Sequence, residues 1–244
     1  MRSTGMRISL ARRWALLIPL ALLTAGAAPA PEERRIMLTG FDRIRVDGPF
    51  EVRVVAGPPS ATVSGDRRAI ERVNIRNQGD VLVVGVSTAT WDGWRDKEGV
   101  AAITIAVPRL RAASINGGGK LEIGDISGQR VDLGVNGAGS LTVRNLAADQ
   151  LATTLTGTGI VRLDAGTVRT ARFTSYGAGS IEAAGVAVYD LTVHSQSAGN
   201  SRFTARFTAS VSTLGTGSVR VEGNAACRLA GPGPASCAGK SEPR

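Results

Sequence analysis

The sequence predicts an all-β protein that winds into a right-handed parallel β-helix, with coils of about 20 residues and a β-rich N-terminal cap. Three features of the 244-residue chain predict this fold. A Gly-x-Gly motif recurs at a step of twenty residues, columns of apolar residues keep the same step, and apolar residues alternate with polar ones inside each repeat. Alternation is the strand period, so each repeat reads as one coil of extended chain.

The glycine motif marks one corner of the coil. It occurs at Gly117/Gly119, Gly137/Gly139, Gly157/Gly159, Gly177/Gly179 and, after a degenerate copy at 197–199, at Gly215/Gly217. The step into the last copy is eighteen residues instead of twenty. We expect all of these glycines to stack at a sharp turn, because glycine adopts positive φ freely.

The apolar columns predict the interior. One column comprises Leu121, Leu141, Val161 and Ile181, and another comprises Leu133, Thr153, Phe173 and Val193. A single repeat cannot bury its own apolar face, so the copies must stack about 4.8 Å apart. Polar residues between these columns, such as Arg162, Glu182 and Arg202, must then face solvent.

An antiparallel β meander or sandwich is the alternative fold. The dipeptides Asn116-Gly117 and Asn136-Gly137 are good two-residue hairpin turns. In later copies Thr156, Tyr176 and Gln196 replace the asparagine, so the hairpin chemistry is lost while the columns persist. The pattern therefore favours the parallel β-helix.

The remaining segments are assigned by their composition. We expect a signal peptide at 1–27, a linker at 28–40, one domain at 41–223 and a tail at 224–244, the domain dividing into cap strands at 41–112 and regular repeats at 113–223. Within the cap, a short helix capped by Asp66 is predicted between Asp66 and Val73. The open ends of a stack invite edge-to-edge aggregation, so the cap should cover the first coil and the tail the last.

The N-terminus has the features of a secretory signal peptide. Four arginines precede an apolar run from Trp14 to Leu23, small residues follow, and cleavage is expected between Ala27 and Ala28. A membrane anchor is the alternative, but the run is shorter than the roughly 20 residues that a bilayer requires. Removal of 1–27 lowers the formal charge from +9 to +5 and leaves no transmembrane segment. We expect an exported protein in the periplasm, at the outer-membrane surface or outside the cell.

Two cysteines, Cys227 and Cys237, lie close together near the C-terminus. In an oxidising compartment this pair predicts one disulfide. The closed loop stabilises the fold by about 3 kcal/mol in the chain-entropy model. Metal binding is the alternative, but it would need further ligands nearby. We therefore expect no metal and no other cofactor.

Composition argues against two functional classes. The basic residues are spread along the chain without a dense block, so we expect no nucleic-acid partner. The only histidine, His194, precedes Ser195, but successive strand residues point to opposite faces and cannot form a hydrolase pair. An enzyme that acts on polysaccharides would need several acidic residues in one groove, and it remains the alternative to a binding protein.

The stretch from Phe41 to Gly223 resembles the head GIN domain family of auto-transporter adhesins. The matching motifs are FDRIRVDGPFEVRV at 41–54, VSGD at 63–66, VPRL at 107–110, and INGGG, VNGAG and LTGTG at 115–119, 135–139 and 155–159. The resemblance implies a β-helix-like fold and an adhesive role, and it brings no catalytic residues. The sequence departs from the pattern at 196–199 and in the cysteine-bearing tail.

Two sets of side chains are candidates for ligand binding. Trp91 and Trp94 lie in a polar loop, where they could stack on a sugar or contact a partner. Alternatively, they pin the loop onto the first coil. Arg162, Arg172 and Arg202 could form a stripe for an anionic glycan or lipopolysaccharide. Alternatively, the charges on this surface form a solvated salt ladder that contributes little to stability.

These observations predict an exported, non-enzymatic binding protein of the cell envelope or surface, similar to an adhesin module. Stacked coils with short side chains make a stiff surface with few deep pockets, which suits adhesion or scaffolding. We expect its partner to be an envelope or surface glycan, or another envelope protein.

Overall fold

The chain folds into a β-solenoid. The computed structural model describes residues 32–87 and 101–241, and strands dominate these residues. Successive coils pair in parallel through residues twenty apart, and the solenoid has about 6 turns. The predicted parallel β-helix is confirmed, and the repeats do not form an antiparallel meander.

The described elements fall into three groups along the chain. The N-terminal group comprises β1 (Glu32–Met37), β2 (Arg43–Asp47), β3 (Glu51–Ala56), β4 (Ser60–Gly65), α1 (Arg67–Arg72), β5 (Val73–Gln78), β6 (Val81–Val86), β7 (Ala102–Val107) and β8 (Ala112–Gly117). The regular coils comprise β9 (Lys120–Gly137), β10 (Ser140–Gly157), β11 (Ile160–Gly177), β12 (Ser180–Ser197) and β13 (Ser201–Thr213). The last group comprises β14 (Val219–Glu222), β15 (Ala226–Ala230), β16 (Ala235–Cys237) and β17 (Lys240–Ser241).

Each regular coil has three sides. In β10, buried and exposed residues alternate except at 144–145 and 149–150, where two successive residues are both exposed, and at the glycine corner. Because alternation is the strand period, each interruption marks a bend. We call the segment 140–143 and its equivalents face 1, the segment 146–148 and its equivalents face 2, and the segment 151–156 and its equivalents face 3.

The interior is one continuous apolar core. Leu121, Leu141 and Val161 lie in register on face 1, and all three are fully buried. Phe173 from face 3 and Phe203 from face 1 pack across the interior, with ring centroids 4.7 Å apart. The predicted interior columns are confirmed.

The glycine corner requires glycine for two different reasons. The first glycine of each regular motif adopts positive φ, which is +118° at Gly137. The second glycine does not, but a Cβ at Gly139 would lie 2.9 Å from the carbonyl oxygen of Gly119 in the preceding coil. Positive φ therefore explains only the first position, and the close approach of successive coils explains the second.

The expectation that every glycine of the motif turns the chain through positive φ is therefore wrong for six of the ten positions, namely the five second glycines and Gly215. The second glycines are all buried and all lack positive φ; they are Gly119, Gly139, Gly159, Gly179 and Gly217. A Cβ at Gly159 would collide with the carbonyl oxygen of Gly139, one at Gly179 with that of Gly159, and one at Gly217 with that of Gly199. These residues are glycine because the backbone of the neighbouring coil fills the space of a side chain.

The last copy of the motif differs at its first position as well. Gly215 also lacks positive φ, and a Cβ there would collide with the carbonyl oxygen of Ser197. The turn role that the motif predicts is confirmed at the first glycine of the four regular copies, namely Gly117, Gly137, Gly157 and Gly177. At Gly215 the close approach of the coils alone requires glycine.

The N-terminal strands do not stack in chain order. Strand β2 pairs in parallel with β6 on one side and β8 on the other, while β3 pairs with β7 and β9. Strands β2 and β3 therefore form the second layer of the stack, and the later strands β6 and β7 form the layer at its N-terminal end. Antiparallel strands then cover that end, because β5 pairs with β6, β4 with β7, and β1 with β4. These antiparallel pairs form the β-rich cap.

The predicted short helix is present as α1, but its capping differs from the prediction. Asp66 occupies the N-cap position, but its carboxylate accepts no hydrogen bond from the backbone N–H groups of the helix. The backbone N–H of Ile70 donates to the carbonyl oxygen of Asp66 at 2.9 Å, which is the ordinary first hydrogen bond of the helix. Ala69 and Ile70 are buried, so packing against the strands of the β-rich cap holds the helix in place.

The C-terminal tail continues the stack. Strand β15 pairs in parallel with β13, β16 with β14, and β17 with β15. The disulfide between Cys227 and Cys237 joins face 3 to face 1 at this end, with the two Cα atoms 6.5 Å apart. The predicted disulfide is confirmed.

Replacing Gly137 with Ala should lower the free energy of unfolding by about 2–3 kcal/mol. The new Cβ would occupy a backbone with positive φ and would lie 2.8 Å from the carbonyl oxygen of Gly117. Gly118→Ala is the matched control, because its Cβ would meet nothing within 4 Å, and we expect a change within about 0.5 kcal/mol. Equal effects of the two variants in urea unfolding would contradict the corner geometry.

Reduction of the disulfide should loosen the last coil and leave the stack folded. The chain-entropy model assigns the crosslink about 3 kcal/mol, and in a solenoid each coil contacts only its neighbours. Hydrogen exchange should show lost protection of amides at 226–237 and unchanged protection in β10 and β11. A Cys227→Ala/Cys237→Ala variant should behave like the reduced protein; loss of protection throughout the stack would argue against a local role.

Candidate ligand-binding surfaces

Face 1 carries a column of charged side chains. Arg162 lies in register with Glu182, Glu182 with Arg202, and Arg202 with Arg220. We call these four residues the arginine column. The spacing of paired strands places neighbouring positions about 4.8 Å apart, and the three arginines are exposed.

The C-terminal end of this column brings two positive charges together. Arg202 and Arg220 are direct neighbours, and like charges at such positions destabilise a sheet. Asp164 and Glu222 are outward-facing acidic residues nearby. Among the described residues, however, no ion pair within 4.0 Å joins an acidic group to any arginine of the column. Their guanidinium groups can therefore bind carboxylate, sulfate or phosphate oxygens.

Arg172 lies elsewhere on the molecule. It belongs to face 3, in register with Ala152 and Thr192, and its Nη1 atom is 3.4 Å from Nε2 of His194. The structure therefore brings Arg162 and Arg202 together but does not bring Arg172 to them. His194 is exposed, whereas Ser195 is buried, so the two side chains point to opposite sides of the sheet, as the alternation predicts.

The other end of face 1 holds a groove of about 150 Å³. Within it, a carboxylate oxygen of Glu122 lies 2.6 Å from Nζ of Lys120, and the other lies 3.3 Å from Nη2 of Arg53. The hydrogen bond from Lys120 is the largest cause that lowers the pKa of Glu122. The charges of Lys120 and Arg53 add to it, and burial opposes it. The three charges satisfy one another and join β3 to β9.

Face 3 holds two adjoining shallow grooves of about 400 and 300 Å³ near the N-terminal end. Arg111 contacts Asp42 at 2.7 Å and Asp80 at 3.1 Å, and Arg43 approaches Asp80 at 3.4 Å. The hydrogen bond and the charge of Asp42 are the main causes that raise the pKa of the Arg111 guanidinium. These charges pair across three layers, so the network holds the stack together.

Neither charge network is predictable from a local motif. Arg53 and Glu122 are 69 residues apart, and Arg111 and Asp80 are 31 apart. The register of β3 on β9 places Arg53 beside Glu122, but that register depends on a layer order that the repeat does not reveal.

Several predicted features lie outside the described residues. They are the signal peptide with its cleavage site at Ala27 and Ala28, and the tryptophan pair, Trp91 and Trp94.

The described ranges, 32–87 and 101–241, lack two features that would indicate other functions. They contain no group of three or more His, Cys, Asp or Glu residues placed to hold a metal ion. They also contain no helix that is long and apolar enough to cross a membrane.

The fold and these surfaces define a three-sided β-solenoid that presents charged columns and shallow grooves to its surroundings. The chain belongs to the family described as "putative auto-transporter adhesin, head GIN domain", whose model matches residues 40–225. The resemblance seen in the sequence is confirmed. No curated protein matches the chain.

Solved structures share this fold. A putative adhesin from Bacteroides fragilis is 19% identical, with a TM-score of 0.78 over 88% of this chain and 98% of that one. A putative adhesin from Parabacteroides distasonis is 20% identical, with a TM-score of 0.66 over 85% and 97%. A putative lipid binding protein from the same species is 18% identical, with a TM-score of 0.65 over 88% and 98%. At these identities the likeness concerns the fold alone.

Replacing Glu122 with Gln should lower stability near neutral pH by up to about 1 kcal/mol, because two ion pairs are lost. The folded state lowers the pKa of Glu122. Its stabilisation is therefore present above the pKa of the unfolded chain and is lost as the pH falls through the folded-state pKa. The difference in free energy of unfolding between Glu122→Gln and the wild type should therefore shrink as the pH falls. Urea unfolding across a pH series measures this difference.

Glu222→Gln controls for the loss of one acidic charge at the edge of face 1, since no ion pair within 4.0 Å involves Glu222 in the described part of the chain. The ion-pair account would be contradicted if the difference in free energy of unfolding between the wild type and Glu122→Gln stayed constant down to strongly acidic pH.

Proposed function

We propose that this protein is exported and acts as a non-enzymatic binding module of the cell envelope or surface. The arginine column binds acidic groups of an envelope glycan. The observation that carries the proposal is the juxtaposition of Arg202 and Arg220 on an exposed face, with Arg162 two coils away.

Export is supported by three independent features. The N-terminal sequence has the order of a signal peptide. The disulfide between Cys227 and Cys237 is typical of an oxidising compartment. Membership of a family described as adhesins agrees with a place at the cell surface or in the periplasm. Fractionation of the source cells tests this, and detection only in the cytoplasm would contradict export.

The shape of the column suits an extended acidic polymer. Arg202 and Arg220 project from successive coils of a rigid stack, and Arg162 lies two coils before Arg202, so the spacing of their Cα atoms is set before a ligand arrives. Guanidinium groups recognise carboxylate and sulfate with two parallel hydrogen bonds. Another envelope protein with an acidic strip is the rival partner.

A non-enzymatic role is supported by the state of the carboxylates in the grooves. Of the carboxylates that line the grooves, Glu122 is held by Lys120 and Arg53, and Asp132 is held by Arg130. Glu51 is then a single carboxylate without an ion pair in the described part of the chain. Glycoside hydrolysis needs a carboxylate pair that is open to the substrate. Incubation with polygalacturonate should therefore release no reducing or unsaturated ends; their appearance would overturn the non-enzymatic role.

Replacing Arg162, Arg202 and Arg220 together with Ala should lower the salt concentration at which the protein elutes from immobilised polygalacturonate. The matched control replaces Arg67, Arg76 and Arg172, three exposed arginines away from the column, and removes the same charge. We expect the control to elute close to the wild type. Equal elution of both triple variants, or unchanged elution of the first, would reject the column as the binding site.

A further inference from the structure

The pairing of β12 with β13 is irregular at two places. Ala183 pairs with Phe203 and Ala187 pairs with Thr204, so β12 has three more residues than β13 over this interval, and the coil shortens there. At the second place Val188 pairs with Ala205 while Asp190 pairs with Thr208, so β13 is one residue longer than β12 there. Two residues of β13 therefore lie opposite a single residue of β12. This arrangement is a β-bulge, which is rare in parallel pairs and often re-aims side chains near functional sites.

The bulge assembles an aromatic cluster at the bend between face 2 and face 3. Its members are Tyr189 of β12 and Arg206 and Phe207 of β13, which we call the bulge platform. The rings of Tyr189 and Phe207 lie 5.3 Å apart with their planes 31° from parallel. The guanidinium carbon of Arg206 lies 5.6 Å from the centroid of the Tyr189 ring, in a cation–π contact.

Phe207 differs from every other phenylalanine of the chain. Its side chain is 61% exposed, while the other four phenylalanines are buried. Single exposed apolar residues are ordinary on protein surfaces. This one, however, has its position fixed by a bulge and by an aromatic neighbour that is itself covered by Arg206. The result is a flat apolar face turned toward solvent.

The solenoid does not require aromatic residues at this bend. The positions equivalent to Tyr189 in the three preceding coils are polar, namely Gln129, Asp149 and Arg169. The aromatic pair therefore occurs only where the bulge interrupts the regular repeat. Packing of the core does not account for it, because the rings lie outside the interior columns.

Hydrogen-bonding groups surround the platform. Thr208 donates its hydroxyl hydrogen to Oδ1 of Asp190 at 2.6 Å. Asp190 is exposed, so its second oxygen can accept a further hydrogen bond. Arg169, one coil away, approaches Asp149 at 3.9 Å. The two charged residues next to the rings, Asp190 of β12 and Arg206 of β13, cancel in charge.

We propose that the bulge platform is a binding site for an uncharged pyranose residue of a glycan. The C–H face of the sugar ring stacks on Phe207, and its hydroxyl groups exchange hydrogen bonds with Asp190 and Arg206. Apolar faces with a few polar groups on the rim are typical of small-ligand sites. The cancelled charge favours an uncharged sugar, unlike the acidic groups taken by the arginine column. The proposal rests on the glycan-binding role above but concerns a separate site.

Calorimetric titration of the purified protein with cellotetraose, mannotetraose and chitotetraose tests the proposal. We expect weak binding of at least one probe, and a loss of affinity of about fivefold or more in Phe207→Ala. Phe207→Tyr should retain the affinity because it keeps the ring face, whereas Phe207→Leu should lose it despite being apolar. Leu214→Ala is the matched control, since Leu214 is 60% exposed on face 3, and it should bind like the wild type.

The outcomes separate this site from the arginine column. Phe207→Ala should elute normally from polygalacturonate, and the triple arginine variant should bind the neutral probe normally. Failure of the wild type to bind any of the three probes, or equal affinity of Phe207→Ala, would overturn the platform and leave the column result standing. Sedimentation adds a further outcome: a wild type that self-associates and a monomeric Phe207→Ala would show that a second copy covers the platform, which also overturns the proposal.

Discussion

Hydrogen bonding between successive coils, with each residue placed beside its counterpart about twenty positions away, is the constraint on which the structure depends. It fixes a separation of about 4.8 Å between equivalent backbone positions. At the corner this distance leaves no room for a Cβ at Gly139. In the interior it aligns apolar side chains into columns. On the outside it places Arg202 beside Arg220, an arrangement that sheet stability alone would disfavour.

The sequence repeat predicts those parts of the fold that follow from the pairing of successive coils. The interior register of Leu121, Leu141 and Val161 follows from the twenty-residue step and is found in the structure. The layer order at the N-terminal end does not follow, because β2 pairs with both β6 and β8. Those contacts join strands that carry no shared motif, so only tertiary packing decides them. Asp66 is a similar case, since the residue type predicts a side-chain cap, but its carboxylate accepts no capping hydrogen bond.

For the candidate surfaces, the repeat likewise predicts which residues share a column, but it does not predict the contacts made where the repeat is irregular. Column counting places Arg162 and Arg202 together, because a whole number of coils separates them. Arg172 is half a coil from Arg162, and the bends at 164–165 and 169–170 turn it onto face 3. The eighteen-residue step signals an irregularity in the sequence. It does not show where in the coil the register shifts, so the contact between Tyr189 and Phe207 could not be foreseen.

Both proposed sites occupy the C-terminal coils, and the disulfide acts on their immediate neighbours. Cys227 lies in register with Ala209, two residues after Phe207, and Cys237 lies in register with Val221, next to Arg220. A terminal coil has a neighbour on one side only, so it is the part of a solenoid that opens most easily. The crosslink between face 3 and face 1 counteracts this tendency beside the residues of the two proposed sites. A pre-set surface loses less conformational entropy on binding, so the disulfide serves the surfaces as well as the fold.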